Sequence, residues 1–248
     1  MEAESKVKSL VKAMRVLECF SIQTPEMGVS EVARKVGLQK SSVHNILRTF
    51  EQIGYITQNA DTGRYNLGLE LLKFSYIITS NMDIQKVLAP IIRQIARETG
   101  EVCYLAIPHG GNVLYIDSSA GDVRTPARAI LGECAPMYCT GLGKAMLAYS
   151  PELMQLQPEP LTAFTPNTIV QKDALKADLE ATFRRGFALD NMEHEFGVTC
   201  VAVPILGHGG QLMAAISISG PSLRFTEDRI PEIAEHMIRT SEPVQRRI

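Results

Sequence analysis

Apolar positions near the amino end recur with a helical period. Val7, Leu10, Val11, Met14 and Leu17 keep the i, i+3, i+4 spacing that makes one face of a helix apolar, so the chain opens on an amphipathic helix. Pro25 and Gly28 interrupt the pattern, and Ser30 is the expected N-cap of a two-turn helix carried by Val32, Ala33 and Val36 and ended by Gly37. Leu38, Gln39 and Lys40 separate it from a third stripe, Val43, Ile46, Leu47, Phe50 and Ile53. A short helix, a tight glycine turn and a longer helix follow the helix-turn-helix pattern. Two strand-like runs, 55–58 and 64–67, flank the turn-rich stretch 59–63 and predict a hairpin wing.

Further along, Leu69, Leu71, Leu72, Ile77 and Ile78 give another helix, broken at Ser80-Asn81-Met82 before Val87, Leu88, Ile91, Ile92 and Ile95 begin the next. Beyond Gly100 the texture is mixed. Strand-like runs 102–108 and 113–118 are joined by a Gly110-Gly111 turn, and runs 198–206 and 211–220 by a turn holding Gly207, Gly209 and Gly210. Helical patterns cover 141–149, 171–185 and 226–239. The expected fold class is α+β: a winged helix-turn-helix in 1–67, a linker helix in 68–82, and an α/β domain with a central antiparallel sheet in 83–248.

Composition changes this picture little. With 248 residues, 45% apolar and 21% charged, the chain is an ordinary globular sequence, which excludes collagen-like and disordered classes. A formal charge of −2 speaks at face value against a nucleic-acid partner. That value averages unlike halves: 9 Lys and Arg against 7 Asp and Glu lie up to Leu67, a balance of +2, and 16 against 20 follow, a balance of −4. Five cysteines with no Cys-x-x-Cys spacing argue against a disulfide framework. Neither a secretory leader nor a membrane-spanning apolar run is evident, so a cytoplasmic protein is expected.

At 100° per residue, the third helix turns Ser41, Asn45, Arg48 and Gln52 away from its apolar stripe, with His44 and Thr49 at the flanks. Asn and Gln can read adenine, Arg can read guanine, and Ser and Thr suit phosphate. Lys40 and Ser42 belong to the amino end of the same helix, where phosphate meets the helix dipole. Arg64, beside the wing turn, suits a minor-groove or backbone contact.

Enzyme motifs fail one by one. Gly141-Leu142-Gly143-Lys144 lacks the flanking residues of a phosphate loop, since Tyr138 and Ala145 stand where Gly and Ser or Thr are required. Glu193-His194 does not extend to a zinc-protease motif, and no Gly-x-Ser-x-Gly elbow occurs. Cys139 or Cys200 with His194 is the remaining nucleophile and base pairing, and Cys139, Asp190, His194 and Cys200 are the remaining metal-type donors. They define the alternative of a metal- or cysteine-dependent enzyme with an appended helix-turn-helix. No cofactor motif is present. A glycine-started helix at Gly141 offers free amides to a carboxylate, and Ser217 and Ser219, two apart on a strand, share a face.

The run from Gly37 to Leu47 followed by Gly54-Tyr55, together with Cys139-Thr140-Gly141-Leu142-Gly143-Lys144-Ala145, the run from Glu193 to Pro204, and Ser217-Ile218-Ser219-Gly220-Pro221, resembles the IclR family of bacterial transcription regulators over about residues 7–240. Many members carry Arg at the position of Asn45, so an operator sequence does not carry over. The resemblance implies a GAF-like sensor domain for small organic or aromatic acids, with the effector meeting Gly141, Leu142, Asp190, Cys200, Ser217 and Ser219. It further implies a double-stranded DNA operator, a homodimer or homotetramer, and repression as the usual output. The stretch 135–141 is faintly similar to regulators of sugar-acid catabolism. Arg124 and Arg128 are further candidates for a carboxylate contact. Leu10 to Leu17 and the faces of the helices at 69–79 and 83–99 are candidate subunit contacts.

Overall fold

The computed structural model describes residues 7–121 and 131–245, in two units, Met1–Asn81 and Met82–Ile248. Arg124 and Arg128 lie outside the described residues. In the first unit the helices α1 (Lys8–Leu17), α2 (Val29–Val36) and α3 (Lys40–Gln52) enclose a small core in which Val16, Val32, Val43 and Leu47 are fully buried. Gly37 takes the left-handed conformation (φ 69°) that ends α2 and turns the chain into α3.

Ser30 is not the cap of α2. The helix starts after Gly28, whose amide donates to the Glu31 carboxylate at 2.7 Å. An acidic side chain three residues in reaches back to an otherwise orphaned donor, and Ser30 falls inside the first turn. The wing consists of β2 (Ile56–Gln58) and β3 (Tyr65–Leu67), as the pattern predicts. A third strand, β1 (Glu26–Met27), pairs with the far edge of β3 and was not foreseen, since two residues carry no period. Helix α4 (Leu71–Ser80) buries none of its residues, although Phe74 sets its ring edge-on to Tyr55 at 5.8 Å.

The second unit contains α5 (Asp83–Thr99), β4 (Val102–His109), β5 (Asn112–Ser119), β6 (Cys134–Pro136), α6 (Gly141–Tyr149), α7 (Lys172–Arg185), β7 (Ala188–Asn191), β8 (Val198–Leu206), β9 (Leu212–Pro221) and α8 (Arg229–Gln245). Six antiparallel strands lie in the order β6-β5-β4-β9-β8-β7. The edge strands β6 and β7 are additions to the four-strand expectation.

Alternation divides the sheet into two faces. Leu105, Val201, Val203, Ile216 and Ile218 pack with Leu88, Ile92 and Ile95 of α5 and Ile233 and Met237 of α8. Tyr104, Ala202 and Ala215 pack on the other side with Leu142, Met146 and Leu147 of α6 and Leu175 and Leu179 of α7. The apolar face of α5 is thus covered within its own unit. Among the described residues no helix is long and apolar enough to cross a membrane.

Candidate functional site

Two arrangements stand out, one in each unit. On α3, Val43 and Leu47 are fully buried, while Lys40, Ser41, Ser42, His44, Asn45, Arg48, Thr49 and Gln52 are all exposed. The helix therefore presents one continuous polar face. Arg48 reaches Glu51 at 3.2 Å on the surface, a weak contact that leaves it available, and Thr49 Oγ1 donates to the Asn45 carbonyl at 2.8 Å. Arg64 is differently placed. Its guanidinium donates to Glu31 at 2.7 Å and to the Glu26 carbonyl at 3.0 Å, tying the wing to α2 and β1. Its side chain is thus engaged within the unit, beside the Glu31 that caps α2, while remaining partly exposed at the wing.

In the second unit a cavity of about 520 Å³ opens on the α6 face of the sheet. All six residues expected to meet an effector, Gly141, Leu142, Asp190, Cys200, Ser217 and Ser219, line it. Register explains the convergence. Asp190 pairs with Cys200 and Cys200 with Ser219, forming one cross-strand row over β7, β8 and β9, and Ala202, Ser217 and Tyr104 form the next.

The amino end of α6 is held against this wall by close approach. A Cβ on Gly141 would stand 3.3 Å from Cys200 Cβ, and one on Gly143 would lie 2.1 Å from Met137 Cα. The glycines serve backbone proximity and have no phosphate-loop role. Thr140 is the N-cap: its hydroxyl accepts from the Gly143 amide at 3.2 Å and donates to the Pro136 carbonyl at 2.8 Å. The Gly141 and Leu142 amides have no partner among the described residues and stand at the positive end of the helix dipole. Ser217, 2% exposed, likewise has a hydroxyl without a hydrogen-bond partner among the described residues. Cys200 donates its thiol proton to Ser219 Oγ at 3.1 Å.

Sequence reasoning missed the strap between β7 and β8, where His194, Glu195, Phe196 and Gly197 line the cavity with Tyr104, Tyr115 and Thr140. The strap is pinned through Glu193. Lys144, 1% exposed, donates to Glu193 Oε1 at 2.5 Å, and the Glu193 carbonyl accepts from Thr168 Oγ1 at 2.6 Å. The Glu193 amide donates to Asp190 Oδ1 at 2.8 Å. Thr140 carried a legible signal, a cap residue directly before a helical run; the ion pair across 49 residues carried none.

Burial pushes the Cys139 thiol up to about 12 and the Cys200 thiol well above its ordinary range. Neither is a thiolate at neutral pH, which removes the nucleophile that a cysteine enzyme needs. Among the described residues no three His, Cys, Asp or Glu side chains gather as a metal site.

Residues 9–60 match the family described as IclR helix-turn-helix domain, and residues 77–246 match Bacterial transcriptional regulator IclR C-terminal. The chain is 31% identical over 234 residues to the HTH-type transcriptional regulator XynR of Escherichia coli (strain K12), covering 93% of each. Its fold is similar to that of the crystal structure of the Thermotoga maritima IclR, with a TM-score of 0.76, 32% identity, and 96% of this chain and 98% of that one covered. An IclR homolog from Microbacterium hydrocarbonoxydans, crystallised with 4-hydroxybenzoate, shares the fold with a TM-score of 0.82 at 23% identity, covering 97% of this chain and 100% of that one. The chain belongs to the IclR family of bacterial transcriptional regulators, DNA-binding proteins and not enzymes.

Proposed function

We propose that this regulator is a repressor that holds a near-palindromic operator as a homodimer or homotetramer and answers to a small carboxylate-bearing metabolite. The observation that carries the effector reading is the convergence, in one cavity, of the Gly141 and Leu142 amides with the Ser217 hydroxyl, none of which has a hydrogen-bond partner among the described residues. A carboxylate satisfies all three donors at once, and the helix dipole favours its charge. The 4-hydroxybenzoate held by the Microbacterium hydrocarbonoxydans homolog is consistent with an acid of this class.

On DNA, Asn45, Arg48 and Gln52 read base edges in the major groove, while Lys40, Ser41, Ser42, His44 and Thr49 meet phosphates. The acid binds one arrangement of the sensor units better than another and so biases the spacing of the paired reading heads. Sugar-acid or organic-acid catabolism is the pathway class, and the cytoplasm the compartment.

The test is fluorescence anisotropy on promoter fragments from the regulator's own genomic neighbourhood, titrated with keto acids, sugar acids and aromatic acids. One acid should release the operator, and Ser217→Ala should weaken that acid at least tenfold while leaving operator affinity in its absence unchanged. Operator affinity indifferent to every acid would sink the effector reading and leave the DNA-binding role standing.

A further inference from the structure

The cavity proposed to take a carboxylate is itself lined by carboxyl groups, Asp190, Glu133 and Glu195. Charge bookkeeping around Asp190 shows how it can still accept an anion. Lys144 of α6 is shared by Glu193 at 2.5 Å and Asp178 of α7 at 2.9 Å, and Arg185 stands 3.9 Å from Asp178. Two cations therefore serve two carboxylates. Asp190, only 3% exposed, forms no ion pair among the described residues. The backbone amides of Glu193 and His194 donate to it, and across the strand pair it faces the un-ionised Cys200 thiol. Cys139, a further titratable neighbour beside Glu193 and Lys144, is also an un-ionised thiol. Burial without an ion-pair partner favours the protonated carboxyl, against the pull of Lys144 and the two amides towards the ionised form.

We infer that Asp190 stands in the cavity as the neutral acid, donating a hydrogen bond to the carboxylate of the effector, so that effector and proton are held together. Burial, reinforced by Glu193 and opposed by Lys144 and the two amides, pushes Asp190 up to about 7. The proton rests there and not on Glu193, because Lys144 lies against Glu193. The consequence is selectivity as well as linkage. A neutral acid offers a donor where a carboxylate would repel, and it accepts ionised acids at the pH where Asp190 would ordinarily be charged. The linkage rests on the carboxylate reading given above; the protonation of Asp190 does not.

Two measurements separate these claims. Asp190 is one of eight aspartates in the chain, so the side-chain carboxyl carbons of protein labelled at that carbon can be followed individually by NMR. In the ligand-free wild type one resonance should titrate near pH 7 and be missing from Asp190→Asn. If that variant does not fold, the wild-type spectrum alone decides, because unperturbed aspartates titrate near pH 4. Midpoints all below about pH 5 would overturn the inference.

The second measurement is binding of 4-hydroxybenzoate, benzoate and acetate by calorimetry. Affinity for a binding acid should fall about tenfold between pH 6 and pH 8 in the wild type. It should stay flat in Asp190→Asn, whose amide supplies a permanent donor, and equal slopes in the two proteins would overturn the linkage. If none of the three binds at pH 6 while the NMR midpoint stands near pH 7, the carboxylate reading and the linkage both fall, and the neutral Asp190 remains.

Discussion

Lys144 illustrates how one buried residue organises a site it does not enter. Its ammonium is 1% exposed and holds Glu193, whose amide in turn fixes Asp190 at the cavity wall. Removing one partner of such a pair leaves a buried charge uncompensated, so Lys144→Met should destabilise the sensor unit by about 3–5 kcal/mol in urea denaturation. Replacing both, as in K144M/E193M, should recover part of that loss, because apolar contacts substitute for the Lys144–Glu193 pair while Asp178 keeps only Arg185 at 3.9 Å. Asp190 adds a pH dependence of unusual sign. Its folded-state value of about 7 lies above that of the unfolded chain, so between about pH 4 and 7 the folded state holds a proton that the unfolded chain has released. Its contribution is present in full below pH 4 and is lost as pH rises to 7, by roughly 4 kcal/mol. Subtracting the Asp190→Asn stability profile from the wild-type one should isolate this slope.

The elements are shaped by backbone proximity as much as by periodicity. Helix α6 lies so close to the segment before it that a methyl group on Gly143 would meet the Met137 carbonyl oxygen at 2.3 Å. Gly143→Ala should therefore push α6 off the sheet, lower thermal stability by about 3 kcal/mol and abolish effector binding, since the Gly141 and Leu142 amides move with the helix. A thermal melt accompanied by acid titration reads both. The wing shows the same economy of space: a Cβ on Gly68 would stand 2.0 Å from the Gly54 carbonyl oxygen, which is why the chain can turn directly from β3 towards α4.

At the scale of the whole molecule, apolar surface and charge point in one direction. Leu10 and Met14 of α1, Leu69 just before α4, and Leu72, Tyr76 and Ile77 of α4 are exposed, a quantity of apolar side chain that an isolated unit does not bury. A second copy of the chain is the proposed cover. Leu72→Asp should shift the protein to monomer in sedimentation velocity and cost most of its affinity for a two-half-site operator while sparing the weak affinity for a half-site. The reading unit carries little net positive charge, so the proposed dimer is expected to lose its grip steeply on half-site DNA and to bind random DNA weakly at physiological salt, as anisotropy titrations would read.

How much was legible in the chain follows from the range of the forces involved. Helical period and cap chemistry act over a few residues, so the three helices, the polar face of α3 and the shared face of Ser217 and Ser219 could be read directly, and motif likeness supplied Asp190 and Cys200. The edge strands β6 and β7, of three and four residues, are too short to show a period. Partners remote in sequence were equally invisible: Arg64 meets Glu31 across 33 residues, and Lys144 meets Glu193 across 49. The sequence by itself determined which side chains face outward and which share a strand face, because those are properties of local backbone geometry. Only the tertiary structure decided that Arg64 pairs with Glu31, that the strap lines the cavity, and that Asp190 forms no ion pair among the described residues, because each depends on which groups the folded chain brings within reach.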